Sequence, residues 1–180
     1  LLWIKEQLPE VYKNTYKFLD VNGYLKFKCT NKMVAEWSGA CSYGFDINKK
    51  DWEKTFFKIA GIDQKKLPDL VRSTDLVGNL TEKAAKELGL TTNVKIFGGS
   101  DDTQSAAMGS GQIDHHQAHI YLGSSAWIGV SSQKNYKFKN GMASLQSADP
   151  TSNLMVGITE SAGVNVEWAL SKLYKEEKEK

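Results

Sequence analysis

Cysteine, long apolar runs and an excess of either charge are all scarce in this 180-residue chain. Its two cysteines, Cys29 and Cys41, lie 12 residues apart and form no CxxC pair. That excludes the disulfide framework of a small secreted domain and a zinc site built on thiolates. Two reduced, mostly buried thiols in a cytoplasmic protein are expected instead. The apolar runs are too short for a transmembrane helix. Lys and Arg number 23 against 21 Asp and Glu, a formal charge of +2. Such a balance sets up no long-range field, so neither nucleic acid nor a membrane is expected as a partner. The opening LLWIKEQLPE has no basic leader ahead of an apolar stretch, as a signal peptide would. It lacks an initial Met and reads as the inside of a helix, so a piece of a longer protein is expected.

What is present suffices for one ordinary domain or two small ones, with 41% hydrophobic and 11% aromatic residues. Residues 1–19 read as helix broken at Pro9. Gly23–Cys29 alternates apolar and basic residues, the pattern of a strand or a short surface helix. Ser38–Asp46 is rich in Gly and Ser and reads as loop. Lys50–Ile59 carries Trp52, Phe56, Phe57 and Ile59 at helical spacing, and a turn follows at Leu67-Pro68-Asp69. Thr81 is placed to cap a helix with Ala84, Ala85 and Leu88 on its apolar face and Gly89 closing it.

The segment after residue 93 says most. Val94–Phe97 is a short apolar strand ended by Gly98-Gly99. Ser100-Asp101-Asp102-Thr103 then opens a helix of small residues. A strand, a glycine turn and a helix start form a usual place for a ligand at a sheet edge. The two carboxylates either cap the helix dipole, act as a base or hold a cation. Further on, HIYLGSSAWIGVSS reads as a hairpin, and its Gly-Ser-Ser bend is either turn chemistry or a cradle for phosphate oxygens. Strand-like pieces fill 141–158. An amphipathic helix runs from about Glu160 with Ala162, Val166, Trp168, Ala169, Leu170, Leu173 and Tyr174, ending in a solvated KEEKEK. His115, His116 and His119 would share a face only in a helix, and this stretch leads into a strand. They are read as surface histidines at an interdomain connection, with no metal site. Trp37, Trp127 and Trp168 are read as core aromatics ahead of sugar-stacking groups.

Four stretches together resemble the FGGY carbohydrate kinases, most closely their xylulose-kinase-like branch. Trp3-Ile4-Lys5-Glu6-Gln7 resembles the end of the family's first signature. Trp52, Leu67-Pro68, Gly78 and Gly89-Leu90 recur in the family's order. Gly98–Gly109 resembles its Gly-Gly-Gly-Asp segment, and Leu122–Ile128 its Gly-Thr-Ser phosphate hairpin. The resemblance implies an α/β, actin-like (ribonuclease H-like) fold, present in part: residues 1–112 as the later part of the first domain and 113–180 as the beginning of the second. It also implies ATP-dependent phosphorylation of a sugar hydroxyl, with ATP and Mg2+ used by the full-length enzyme and the site in the cleft between domains. The Asp-x-Gly-Thr phosphate loop and the adenosine segment of the family do not occur in these 180 residues, so this piece alone is expected to be inactive. The resemblance leaves a homodimer of the full-length protein open.

The family's catalytic Asp stands seven positions before the closing glycine, which here is Gly109, so the resemblance makes Asp102 the base. Asp101 and Thr103 flank it on the substrate side. Asp101 stands where the family has Gly, and Thr103 where a polar amide is usual. Gly123, Ser124 and Ser125 would meet the phosphates of ATP, Ser124 replacing a Thr and keeping its hydroxyl. A base that takes the sugar proton as the O–P bond forms suits this chemistry. The departures at Asp101, Thr103 and Ser124 support the alternative, an actin-like binding or regulatory module without catalysis.

Overall fold

The computed structural model describes residues 1–139 and 141–174, so the KEEKEK end lies outside the described residues. The chain divides into two compact units. One holds Leu1–Asp102 with Ala148–Pro150, the other Thr103–Ser147 with the residues from Thr151 on.

In the first unit, Pro9 lacks the N–H that would continue a helix. Helix α1 (Leu2–Gln7) therefore ends before it, and α2 (Pro9–Asn14) starts on it. The alternating 23–29 stretch is helix: α3 (Val21–Thr30) begins where the Asp20 carboxylate accepts the Gly23 N–H, and ends at Asn31 with φ 60°. Gly23 and Lys26 are its buried positions, three apart, while Tyr24 and Leu25 are exposed. The Asp20 cap and the burial at helical spacing outweigh the period-two pattern.

Strand β1 (Val34–Glu36) is buried throughout. Ser38–Asp46, expected as loop, is instead ordered as α4 (Trp37–Ala40), a 3-10 turn (Cys41–Tyr43) and β2 (Phe45–Asp46). Glu36 is the reason, because its carboxylate accepts the Ser38 and Gly39 N–H groups that a first helical turn leaves unpaired. Strand β3 (Asp51–Trp52) pairs antiparallel with β2, which puts Trp52 on a strand and not on the expected helix. Helix α5 (Lys54–Ile59) starts after Glu53, whose carboxylate accepts the Thr55 N–H; Phe57 is buried, Phe56 and Ile59 exposed.

Strand β4 (Asp69–Val71) runs parallel to β1. The core beside this pair holds Ala35, Ala40, Phe45, Trp52 and Phe57. Its centre is aromatic: Phe57 meets Trp52 edge-on at 5.8 Å, and the Trp52 indole N–H donates to the Pro68 carbonyl at 3.0 Å. Strand β5 (Leu76–Asn79), helix α6 (Glu82–Leu88) and β6 (Lys95–Phe97) follow. The Thr81 hydroxyl accepts the Ala84 N–H at 3.2 Å and Gly89 ends α6 with φ 67°, as expected. Ala84 and Ala85 are buried, but Leu88 is exposed because it faces away from Leu80, Val94 and Ile96. β6 pairs antiparallel with β5.

Helix α7 (Asp102–Gly109) leads into the second unit. There β7 (Ala118–Leu122), β8 (Ala126–Ser132), β9 (Met142–Gln146) and β10 (Asn153–Thr159) form an antiparallel sheet in the order β7-β8-β10-β9. Leu154 and Val156 of β10 pack with Ala107 of α7 as its buried core. Helix α8 (Gly163–Lys172) begins later than the amphipathic pattern, and Val166, Trp168, Leu173 and Tyr174 of its expected apolar face are exposed. Among the described residues no helix is long and apolar enough to cross a membrane.

Candidate active site

The turn from β6 into α7 is built on backbone contacts. The Gly98 N–H donates to the Asp75 carbonyl at 3.0 Å and the Gly99 N–H to that of Ser73 at 2.9 Å. Gly98 approaches Arg72 so closely that a Cβ would stand 2.0 Å from its carbonyl oxygen, and Gly99 takes φ +72°, which L side chains rarely adopt. The chain is then held a third time: the Asp101 N–H donates to the Ser38 hydroxyl at 2.9 Å. Asp102 follows as the first helical residue, exposed, with Asp101 and Thr103 half-buried on either side. The helix start within two residues of Asp102 and the strand ahead of it are as expected, the strand opening at Lys95 and not at Val94. Further along α7, the buried Gln104 amide donates to the Gln146 carbonyl at 3.0 Å.

Ser38 itself sits in a buried polar neighbourhood, within a stretch whose Gly and Ser content reads as loop. Its hydroxyl and N–H both go to one oxygen of Glu36, which also accepts the Gly39 N–H. Burial raises the Glu36 carboxyl above its ordinary pKa, opposed by these hydrogen bonds and by the charge of Lys26. Burial lowers the pKa of Lys26, opposed by Asp20 and Glu36. Tyr43 is pushed up by burial and by the carboxylates of Asp20, Glu36 and Asp101. An acidic residue two positions before a Ser-Gly pair is a capping signal, and it could have shown this helix start.

Gly123, Ser124 and Ser125 make up the whole bend of the β7–β8 hairpin, since Leu122 pairs directly with Ala126. The bend's carbonyls cap α8: Gly123 O accepts the Gly163 N–H at 2.9 Å and Ser124 O the Ala162 N–H at 2.8 Å. The Gly123 N–H is turned inward to the Ser125 carbonyl at 2.9 Å. The amides and hydroxyls of Ser124 and Ser125 have no hydrogen-bond partner among the described residues. Such a bend can offer donors to phosphate oxygens. The site residues thus form two groups, Asp101–Thr103 at the start of α7 and Gly123–Ser125 in the bend.

Of the other candidates, the Trp127 ring lies 4.8 Å from the His119 ring and stacks on Tyr121 at 5.8 Å, while Trp37 packs on Phe45 at 5.7 Å. Trp168, expected in the core, is exposed, because α8 buries none of its residues. His115 and His119 are half-buried, each with an enclosed ring nitrogen, so only His116 is the surface histidine expected. Among the described residues no three His, Cys, Asp or Glu side chains gather as metal ligands.

The sequence pattern of the FGGY family of carbohydrate kinases, N-terminal domain, matches residues 1–109. The chain belongs to the FGGY family. The xylulose kinase of Lactococcus lactis subsp. lactis (strain IL1403) is 30% identical to it over 169 residues, covering 93% of this chain and 34% of that protein. The xylulose kinase of Escherichia coli (strain K12) is 27% identical over 171 residues, covering 94% and 35%. Among solved structures, xylulose kinase from Rhodospirillum rubrum superposes with a TM-score of 0.90 at 22% identity, over 97% of this chain and 36% of that one. Plasmodium falciparum glycerol kinase with ADP gives 0.81 at 21%, over 94% and 36%. The chain therefore has the actin-like fold of these sugar kinases over most of its length, and spans about a third of the length of its relatives.

Proposed function

We propose that this chain is part of an ATP-dependent sugar kinase of the cytoplasm, acting on a hydroxyl of a pentulose such as xylulose or of a related sugar or polyol. Residues 1–112 belong to the later part of its first domain and 113–180 open its second. The observation that carries this reading is Asp102: an exposed carboxylate on the first residue of a helix, after a turn pinned at Gly98, Gly99 and Asp101. A base must be held in one place and still reach its substrate, and the pinned turn with an exposed carboxylate supports that role. The carboxylate takes the proton of the sugar hydroxyl as the new O–P bond forms; the bond from the γ-phosphorus to the bridging oxygen breaks, and its electron pair leaves with ADP. Asp101 and Thr103 flank the sugar. Gly123 shapes the bend in which Ser124 and Ser125 receive the phosphates of ATP, a role supported by serine donors that have no partner among the described residues. A magnesium ion would neutralise phosphate charge in such a reaction.

Kinetics of the full-length kinase test the assignment. Asp102→Asn lowers kcat by about 10²–10⁴-fold with KM for both substrates little changed, the scale of a general base. Asp101→Asn costs much less. Equal losses would show that the wrong aspartate was chosen, and an unimpaired Asp102→Asn enzyme would end its role as base. The 180-residue chain alone gives almost no turnover, because positioning supplies most of the catalysis in phosphoryl transfer.

A further inference from the structure

We propose that Glu36, acting through Ser38, is a positioning residue for the turn that carries Asp101 and Asp102. The inference rests on the kinase reading above and adds to it a link between β1 and the base. Glu36 is 4% exposed and Ser38 1%, so water does not compete for their hydrogen bonds. A serine hydroxyl has one proton and can donate it once. Here it goes to Glu36 Oε2, and the Ser38 N–H at 2.9 Å and Gly39 N–H at 3.3 Å reach the same oxygen. With its proton committed, Ser38 Oγ can only accept, and what it accepts is the Asp101 N–H at 2.9 Å. The carboxylate thereby sets the direction of the hydroxyl lone pairs, and the hydroxyl sets the place of the Ser100–Asp101 peptide, one residue ahead of the peptide that carries Asp102. Sequence separation makes this a long-range constraint: Ser38 and Asp101 are 63 residues apart.

A mere core contact would stabilise the fold without regard to the base. The carboxylate is an expensive way to do that, because burial disfavours its charged form and its Oε1 has no partner among the described residues. What the charge does achieve is a fixed proton on Ser38. Glu36→Gln keeps one acceptor oxygen and so keeps most of this order; Glu36→Ala and Ser38→Ala lose it.

Two measurements on the full-length kinase decide the matter. The first is hydrogen exchange of the segment 98–103, which needs no catalysis. Ser38→Ala should exchange the Asp101 amide about tenfold faster, the worth of one net hydrogen bond; unchanged exchange overturns the proposal. The second is a double-mutant cycle. Ser38→Ala and Glu36→Ala should each lower kcat by about 10–100-fold with KM for ATP within about twofold, the scale of a small misplacement of a reacting group. Glu36→Gln should recover most of that loss. In an Asp102→Asn background, Ser38→Ala should cost almost nothing more, because there is no base left to position. Full additivity would mean a structural role and overturn the proposal. Loss of the kinase reading has its own signature: Asp102→Asn with normal kcat while Ser38→Ala still loosens the Asp101 amide.

Discussion

Gly98→Ala is the sharpest perturbation that the site offers. A Cβ there would stand 2.0 Å from the Arg72 carbonyl oxygen, 2.9 Å from the Arg72 carbonyl carbon and 3.1 Å from Ser73 Cα. Carbon and carbonyl oxygen ordinarily approach no closer than about 3.3 Å, so one backbone must retreat by about 1 Å. Every blocking atom is main chain, and no side chain can swing aside. The retreat strains or breaks the Gly98 bond to Asp75 and the Gly99 bond to Ser73. Overpacking of about 1–3 kcal/mol with about 1 kcal/mol for a lost hydrogen bond gives about 3 kcal/mol of destabilisation. Gly99→Ala is the control, because its Cβ would meet nothing and only its φ of +72° is unfavourable, about 1 kcal/mol. Urea unfolding of both variants reads the stabilities, and kcat of the full-length kinase reads the site. A shift of 1 Å at Asp102 should cost about 10²-fold in rate. Gly98→Ala no less stable than Gly99→Ala, with kcat intact, would refute the account of this turn.

Phe57→Ala should cost about 3–5 kcal/mol, since the ring is 1% exposed and fills the space against Trp52; a urea titration checks it. Gly163→Ala should disturb the bend, because a Cβ would stand 2.6 Å from Gly123 O; KM for ATP of the full-length kinase should rise about tenfold while that for the sugar holds. Asp46 is held at about 2, below its ordinary 3.8, first by the Lys49 N–H and then also by the Asn48 N–H and the Lys49 ammonium. Because the folded value is depressed, its contribution is present above pH 3.8 and is lost as pH falls toward 2. The gap in unfolding free energy between wild type and Asp46→Asn, about 1 kcal/mol at neutral pH after solvent screening, should close over that window in acid titrations.

The parts that could be read from the chain are those whose cause is local. Pro9 splits a helix wherever it stands. The Thr81 cap and the Gly89 end of α6 are set by residues within a turn of each other, as is the Gly-Ser-Ser bend between two apolar strands. The strand, the Gly98-Gly99 turn and the helix start at Asp102 belong to the same kind, while the choice of Asp102 as candidate base rests on the family resemblance and not on local pattern. Where two local signals compete, the chain leaves both readings open. The 23–29 stretch alternates as a strand or a short surface helix can, and burial of Gly23 and Lys26 on one side decides for helix. Ser38–Asp46 has the composition of a loop, but a carboxylate from the end of β1 orders it.

Sequence by itself thus determined the elements with local causes, the Pro9 break, the Thr81–Gly89 helix, the glycine turn and the helix start at Asp102. Tertiary structure alone decided which distant residues hold them. Nothing near Ser38 in the chain marks it as the acceptor for the Asp101 N–H, and nothing near Gly123 marks it as the cap of α8. Both contacts join residues tens of positions apart, and such pairings form only when the parallel β1–β4 pair and the β7–β10 sheet bring their ends into place. A hydrogen bond between remote groups leaves no period or spacing in the chain, because its geometry comes from packing and not from the local backbone.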